Sequence, residues 1–350
     1  MHPRTLAIAL CLATGAARAQ APEALWYTRN EGIPAFLAHA DKISIIAPQT
    51  YSLDSNGNLR GRVDPRIIAK AHEMHVKVIP LFTNGGFDQA AFHHVLTVPA
   101  AWHKAISSLV TECRDNHYDG WQFDVENVHV RDRDLFTKFV RETVDSLHRS
   151  GCKSVSAAVV PRLSDDSTGN NYHRWIFDNW RAAYDYKALA DTLDFLSYMT
   201  YAQHTGGSTP GPVAGYAWME ECLKFVLSKG AKPNKISLGL ASYSDWWFPD
   251  YDAAKDASRS RASDIAHARA MQLLQNTHAT PAWDDTQKAY WATWETHGVF
   301  EHLWIEDARS FGTKAGLVKK YGLRGYSVWV LGTEDPKIWD GVGTVSREPK

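Results

Sequence analysis

Cysteine is scarce in this chain, 4 residues in 350, and methionine nearly as scarce at 5. Cys11 sits in an N-terminal stretch expected to be removed, which leaves Cys113, Cys152 and Cys222. An odd number allows at most one internal disulfide, so the fold cannot rest on a disulfide framework. Net charge is nearly absent too: 38 Lys and Arg against 39 Asp and Glu give −1. That balance gives no sign of the basic face of a nucleic-acid binder. Past the N-terminal stretch, no apolar run approaches the ~20 residues that a membrane-spanning helix needs. No glycine-rich dinucleotide loop follows the first candidate strand. No His-Glu-x-x-His pattern occurs and His93-His94 has no companion at ligand spacing, so no metal site is expected.

What is present is an ordinary globular mixture, 44% hydrophobic and 22% charged. It argues against disorder, collagen and coiled coil. Tryptophan stands out at 14 residues, and open indole faces suit flat sugar rings. Residues 1–19 carry a basic start at Arg4, an apolar run over 6–13 and the sequence Ala17-Arg18-Ala19. This reads as a signal peptide cleaved after Ala19, hence as a periplasmic or secreted protein.

The remainder, 20–350, alternates short apolar runs with helical patterns. Strands are expected over 25–28, 42–47, 77–82, 120–125, 154–160, 193–200, 235–242 and 325–330. Several are almost continuously apolar, as parallel strands covered by helices are. Helical patterns at 65–75, 99–116, 132–149 and 215–229 lie between them. Eight strands in βα alternation predict an α/β fold, a (β/α)8 TIM barrel. The seventh and eighth strands are too far apart for one crossover helix. The interval 245–305 is therefore expected to be a small α+β insertion, with a helix at 262–275 and strands at 289–295 and 299–305.

Active sites of such barrels lie at the C-terminal ends of the strands. The fourth strand carries Asp119-Gly120-Trp121-Gln122-Phe123-Asp124-Val125-Glu126. Side chains alternate along a strand, so Trp121, Phe123 and Val125 face the helices while Gln122, Asp124 and Glu126 face inward. Two inward carboxylates roughly 6–7 Å apart along the strand are costly unless paired or used. Asp119, with Gly120, is a candidate simply to shape the entry to the strand, the alternative being a part in the site. Tyr51 and Asn84, near the ends of the second and third strands, are candidates to line the cleft. Trp246 and Trp247, after the seventh strand, are candidates to stack on sugar, one of them alternatively filling the insertion core. Glu306 is expected either in the cleft or paired with Arg309 on a helix surface. Gln203 and His204 are candidates for the cleft rim.

The octapeptide resembles the Asp-x-x-Asp-x-Asp-x-Glu motif of glycoside hydrolase family 18, the chitinase-like barrels. The resemblance continues in order through Tyr198-Met199-Thr200-Tyr201, residues 235–243 with Asp245-Trp246, and Tyr326-Ser327-Val328-Trp329. Residues 51–58, Glu126-Asn127-Val128 and 304–310 are similar to the spore-germination and spore-cortex branch of that family. The resemblance implies a substrate-assisted retaining glycosidase acting on N-acetylglucosamine-containing glycans, peptidoglycan fragments first and chitin oligosaccharides second. Glu126 would be the general acid, Asp124 the group orienting the substrate acetamide, and Tyr201 its partner from the other side. Trp329 would floor the sugar site, with Met199 beside it. No metal or organic cofactor is implied, and a monomer is expected. Two residues depart from the pattern. Gln122 replaces a carboxylate and is expected to hydrogen-bond Asp124 and to help bind the substrate, and Ala202 replaces an aspartate. The rival reading is a chitinase-like protein that binds sugar without hydrolysis.

Overall fold

The computed structural model describes residues 22–343. The signal peptide expected over 1–19 lies outside them. Eight parallel strands close a barrel: β1 (Glu23–Thr28), β2 (Ile45–Leu53), β3 (Leu81–Thr83), β4 (Gly120–Asp124), β5 (Ser154–Val159), β6 (Phe195–Tyr198), β7 (Ile236–Ala241) and, after an insertion, a last strand Gly325–Trp329. The last strand pairs with β7 on one side and β1 on the other, and β1 pairs with β2 to complete the ring. The fold is the expected (β/α)8 barrel.

Local chemistry explains the helices between the strands. Helix α1 (Pro65–Met74) starts with proline at its first position, where a missing N–H costs nothing, and the Asp64 side chain accepts from the Arg66 N–H at 2.8 Å. Helix α2 (Pro99–Asp115) again opens on proline. Helix α3 (Arg133–Ser150) ends at Gly151, whose φ of 100° suits a residue without Cβ. The third strand is shorter than expected because Pro80 interrupts it. Lys77–Val78 pairs with β2 separately, and β3 resumes at Leu81.

Two layers fill the molecule. Trp121 and Phe123 on β4, with Val125 just past its end, are buried between barrel and helices. Inside the barrel lie Leu25, Tyr27, Ile45, Ala47, Ile79, Leu81 and Phe195. A disulfide joins Cys113 in α2 to Cys152 before β5, while Cys222 is a buried thiol. This is the single bridge the cysteine count allows. Asp119 accepts a hydrogen bond from the Val78 N–H at 2.8 Å, fixing the start of β4.

Between β7 and the last barrel strand runs a five-stranded antiparallel sheet: β8 (Ser244–Asp252), β9 (Ala257–Ile265), β10 (Ala282–Asp284), β11 (Ala289–Thr296) and β12 (Val299–Ile305). The last barrel strand is accordingly β13. Helix α4 (Tyr216–Ser228) follows β6, α5 (His267–Thr277) belongs to the insertion, and α6 (Ala308–Tyr321) precedes β13. The helix expected from 262 begins instead at His267, since Ala257–Ile265 pairs along the whole of β8. Leu273 and Leu274 of α5 pack with Ala292, Leu303 and Ile305 on one face of this sheet.

Candidate active site

The site begins in the barrel interior, where a polar network stands among apolar side chains. The Gln122 amide donates to the Tyr27 hydroxyl at 2.8 Å, and the Ser156 hydroxyl donates to the Gln122 carbonyl oxygen. Tyr27 in turn shares a hydrogen bond with Ser197 at 2.6 Å. Gln122 is wholly buried. It faces inward as the alternation requires, but its hydrogen bonds go to Tyr27 and Ser156. It neither bonds Asp124 nor reaches the surface where a substrate would lie, which corrects both expectations. The same alternation explains this: Gln122 sits one step deeper than Asp124, at the level of the Tyr27 hydroxyl.

Above that network, at the end of β4, the Asp124 and Glu126 carboxyls hydrogen-bond each other. Asp124 is 4% exposed, while Glu126 is half-buried at the mouth. Burial pushes Asp124 well above the ordinary carboxylate range, and the neighbouring Glu126 charge adds to the rise. Burial also raises Glu126, to about 7, against the opposing effect of the Asp124 hydrogen bond. Two such carboxyls resist joint ionisation and retain a shared proton near neutral pH.

Tyr201 and Trp329 complete the mouth. Tyr201, Trp329, Val213, Ala241 and Tyr243 form one apolar cluster. Burial holds the Tyr201 phenol above its ordinary value, followed by the effects of Tyr27 and Asp124, so it stays a hydrogen-bond donor. Trp329 lies with its ring centroid 5.4 Å from that of Tyr27, and the Arg29 guanidinium lies 5.2 Å from its centroid. Met199 is buried; its carbonyl accepts from the Tyr201 N–H at 2.8 Å, tightening the turn that carries Tyr201. Ala202 takes a left-handed φ of 54°.

Other sequence candidates lie elsewhere. Tyr51 faces the helices: its hydroxyl donates to Glu112 of α2 at 2.7 Å, and its ring meets Trp121 edge-on. A β-bulge between Gln49 and Tyr51 reverses the expected face. Asn84 is 2% exposed and bonds the backbone of Glu126, so it does not line the cleft with its own surface. Trp246 packs on the insertion core, stacked on Phe248 and donating to Glu301 at 2.7 Å. Trp247 is buried on the opposite face. Glu306 forms a buried ion pair with Lys314 rather than pairing with Arg309. Gln203 accepts from the Gly215 N–H at 2.7 Å, and His204 bonds the Thr209 carbonyl within its own loop.

Sequence reading missed Tyr27, whose signal was a polar tip at an inward position of β1. It also missed a cross-strand row. Asp264, Asp245, Trp304 and Trp291 are direct neighbours across β9, β8, β12 and β11, and so share a sheet face. The Trp291 and Trp304 rings stack at 6.3 Å. The face opposite carries Trp246 and Leu303 against α5. Among the described residues no cluster of His, Cys, Asp or Glu is arranged to hold a metal ion, and no helix is long and apolar enough to cross a membrane.

The sequence profile of a family described as Glycosyl hydrolases family 18 matches residues 28–334. A glycosylase of uncharacterised role from Bacillus subtilis, YvbX, is 25% identical over 306 residues, covering 86% of this chain and 84% of that protein. The cortical fragment-lytic enzyme of the same organism is 27% identical over 264 residues, 75% of this chain and 58% of the enzyme. A chitinase structure from Chromobacterium violaceum superposes with a TM-score of 0.80 at 26% identity, covering 92% of this chain and 98% of that one.

Proposed function

The chain belongs to the family 18 glycosyl hydrolases and is a glycosidase, and we propose that it cleaves β-linked N-acetylglucosamine units by substrate-assisted catalysis with retention of configuration. The observation that carries this reading is the Asp124–Glu126 carboxyl pair at the mouth of β4, with Glu126 raised to about 7. A carboxyl tuned near neutrality is matched to general acid–base work.

Glu126 protonates the leaving glycosidic oxygen. The substrate's own acetamido oxygen attacks the anomeric carbon, so no protein carboxylate need become covalently bound. Asp124 then accepts the acetamide N–H, and the Tyr201 hydroxyl donates to the acetamide oxygen. Trp329 lies under the apolar face of the sugar. Glu126, now ionised, takes a proton from the water that opens the oxazolinium intermediate. These steps use only groups of this chain and of the substrate.

Peptidoglycan fragments are the preferred glycan, and chitin oligosaccharides the second. The kinship with a cortical fragment-lytic enzyme supports the first, and that with a chitinase the second. Export as a monomer completes the proposal. The support for export is the leader-like composition of residues 1–19 and the Cys113–Cys152 disulfide, since such bonds persist in oxidising compartments. Mass spectrometry of products from purified peptidoglycan and from chitin oligomers, run beside Glu126→Gln, tests the reading. Cleavage at N-acetylglucosaminyl bonds by the wild type alone supports it. Glycan binding without any cleavage establishes the non-hydrolytic alternative.

A further inference from the structure

The last ladder pair between β3 and β4 joins Thr83 to Asp124. Glu126 lies two residues beyond it, where among the described residues no main-chain partner continues the sheet. Its backbone is nonetheless held at both ends by one side chain. The Asn84 carbonyl oxygen accepts from the Glu126 N–H at 3.1 Å, and the Asn84 amide donates to the Glu126 carbonyl at 2.9 Å. A primary amide carries the same donor and acceptor as a peptide unit. Asn84 therefore extends the sheet by one rung with its side chain.

The chain turns immediately afterwards. Asn127 has a φ of 52°, a left-handed conformation that asparagine tolerates better than most residues. Its side-chain amide donates to the Phe87 carbonyl at 3.0 Å. Gln89 donates to the Asn127 carbonyl at 3.2 Å and to Asn179 at 3.0 Å. The loop after β3 thus grips Glu126 and its successor, and Gln89 ties that grip to the segment after β5.

We propose that Asn84 is a positioning residue for the general acid: it fixes the Glu126 peptide so that the carboxyl meets Asp124 and the scissile oxygen together. This rests on the assignment of Glu126 as the acid. Asn84 is 2% exposed and its amide is engaged by the Glu126 backbone, so it acts through Glu126. Small displacements of a reacting group are costly in rate, up to roughly 100-fold for about 1 Å. Sugar contacts made by Tyr201 and Trp329 do not depend on this clamp.

Two variants test the assignment. Asn84→Leu keeps the size and removes both hydrogen bonds. Asn84→Asp keeps the shape, and when protonated its carboxyl supplies both an acceptor and an O–H donor; when ionised it can only accept. With a chitin oligomer as substrate, kcat of Asn84→Leu is expected to fall roughly 10- to 100-fold with KM nearly unchanged. Asn84→Asp is expected to approach wild-type kcat at acidic pH and to lose it, relative to wild type at each pH, as the introduced carboxyl ionises. Hydrogen exchange of the Glu126 amide, read by NMR, is expected to speed up in Asn84→Leu. Lower melting temperature with unaltered kcat and no pH-dependent rescue would make Asn84 merely structural and overturn the proposal. Unaltered exchange of the Glu126 amide would overturn the clamp itself. A wild type that cleaves no N-acetylglucosamine oligomer would instead remove the functional reading, and the positioning role with it, whatever the exchange data show.

Discussion

The Asp124 carboxyl at the end of β4 hydrogen-bonds the carboxyl of Glu126, two residues beyond it, and burial raises both above the ordinary carboxylate range. This pair is where the barrel concentrates its cost. Both groups would be more stable in water, and both are held by surroundings that cannot relax away: the barrel wall around Asp124 and the Asn84 side chain behind Glu126.

Glu126→Gln retains size and a hydrogen bond to Asp124 but carries no transferable proton. General acid–base catalysis contributes typically ~10²–10⁴-fold. Turnover of an unactivated oligosaccharide is expected to fall by at least about that range, with the dissociation constant measured by calorimetry nearly unchanged. Wild-type turnover in this variant would remove Glu126 from the mechanism.

The pH dependence follows from the sign of the Glu126 shift. The acid must be protonated in the free enzyme, and its value lies near 7. The profile of kcat/KM is therefore expected to fall on the alkaline side with a midpoint near 7, not near 4.5, the ordinary glutamate value. Activity that declines already between pH 4 and 5 would show that Glu126 is not raised in the free enzyme.

Gln122→Leu tests the placement of the interior network. Removing the amide takes one hydrogen bond from Tyr27 and leaves the Ser156 hydroxyl without its acceptor. A buried group left unsatisfied costs about 1–3 kcal/mol. The expected result is lower thermal stability by that amount with KM for oligosaccharide unchanged. A raised KM in a stably folded variant would put Gln122 in contact with substrate after all.

Asp245 offers a test by stability. It is 2% exposed, and among the described residues one of its carboxyl oxygens is buried without a hydrogen-bond partner. Its carboxyl is pushed up to about 9, first by burial and then by Asp264 and Glu306. A folded-state value above the unfolded one means that stability present at acidic pH is lost as pH rises through the interval from about 4 to 9. Asp245→Asn removes that loss. The variant is expected to gain stability over wild type as pH rises, by up to about 5 kcal/mol at pH 8 at ~1.36 kcal/mol per pH unit, the difference vanishing near pH 4. A difference independent of pH between 4 and 8 would show that Asp245 is ionised in the folded protein.

Much of the architecture was legible because parallel strands buried on both faces leave long apolar runs, and because side-chain parity places Asp124 and Glu126 without further information. Parity also put Gln122 inward correctly. It could not show that Tyr27 claims the Gln122 amide, since that pairing joins residues 95 apart in sequence. Tyr51 was misplaced because a single extra residue in β2 reverses parity, and a bulge leaves no clear mark in composition. The β8–β9 hairpin was obscured by its alternating charges: Asp250 and Asp252 pair with Arg259 and Arg261 across the strands and mimic an exposed helix face. The position of Asn84 at the end of the third strand is legible in the sequence. Its role required the spatial meeting of two loops 42 residues apart.

The central claim is that the substrate acetamide, aligned by Asp124 and Tyr201, displaces the leaving group that Glu126 protonates. The most direct measurement is the anomeric configuration of the first-formed product, followed by proton NMR during cleavage of a chitin oligomer, with mass spectrometry of the intact protein in the same reaction. The account predicts β-anomer first, slow mutarotation afterwards, and no covalent adduct on the protein. Initial release of the α-anomer, or a glycosyl ester trapped on Asp124 or Glu126, would contradict it.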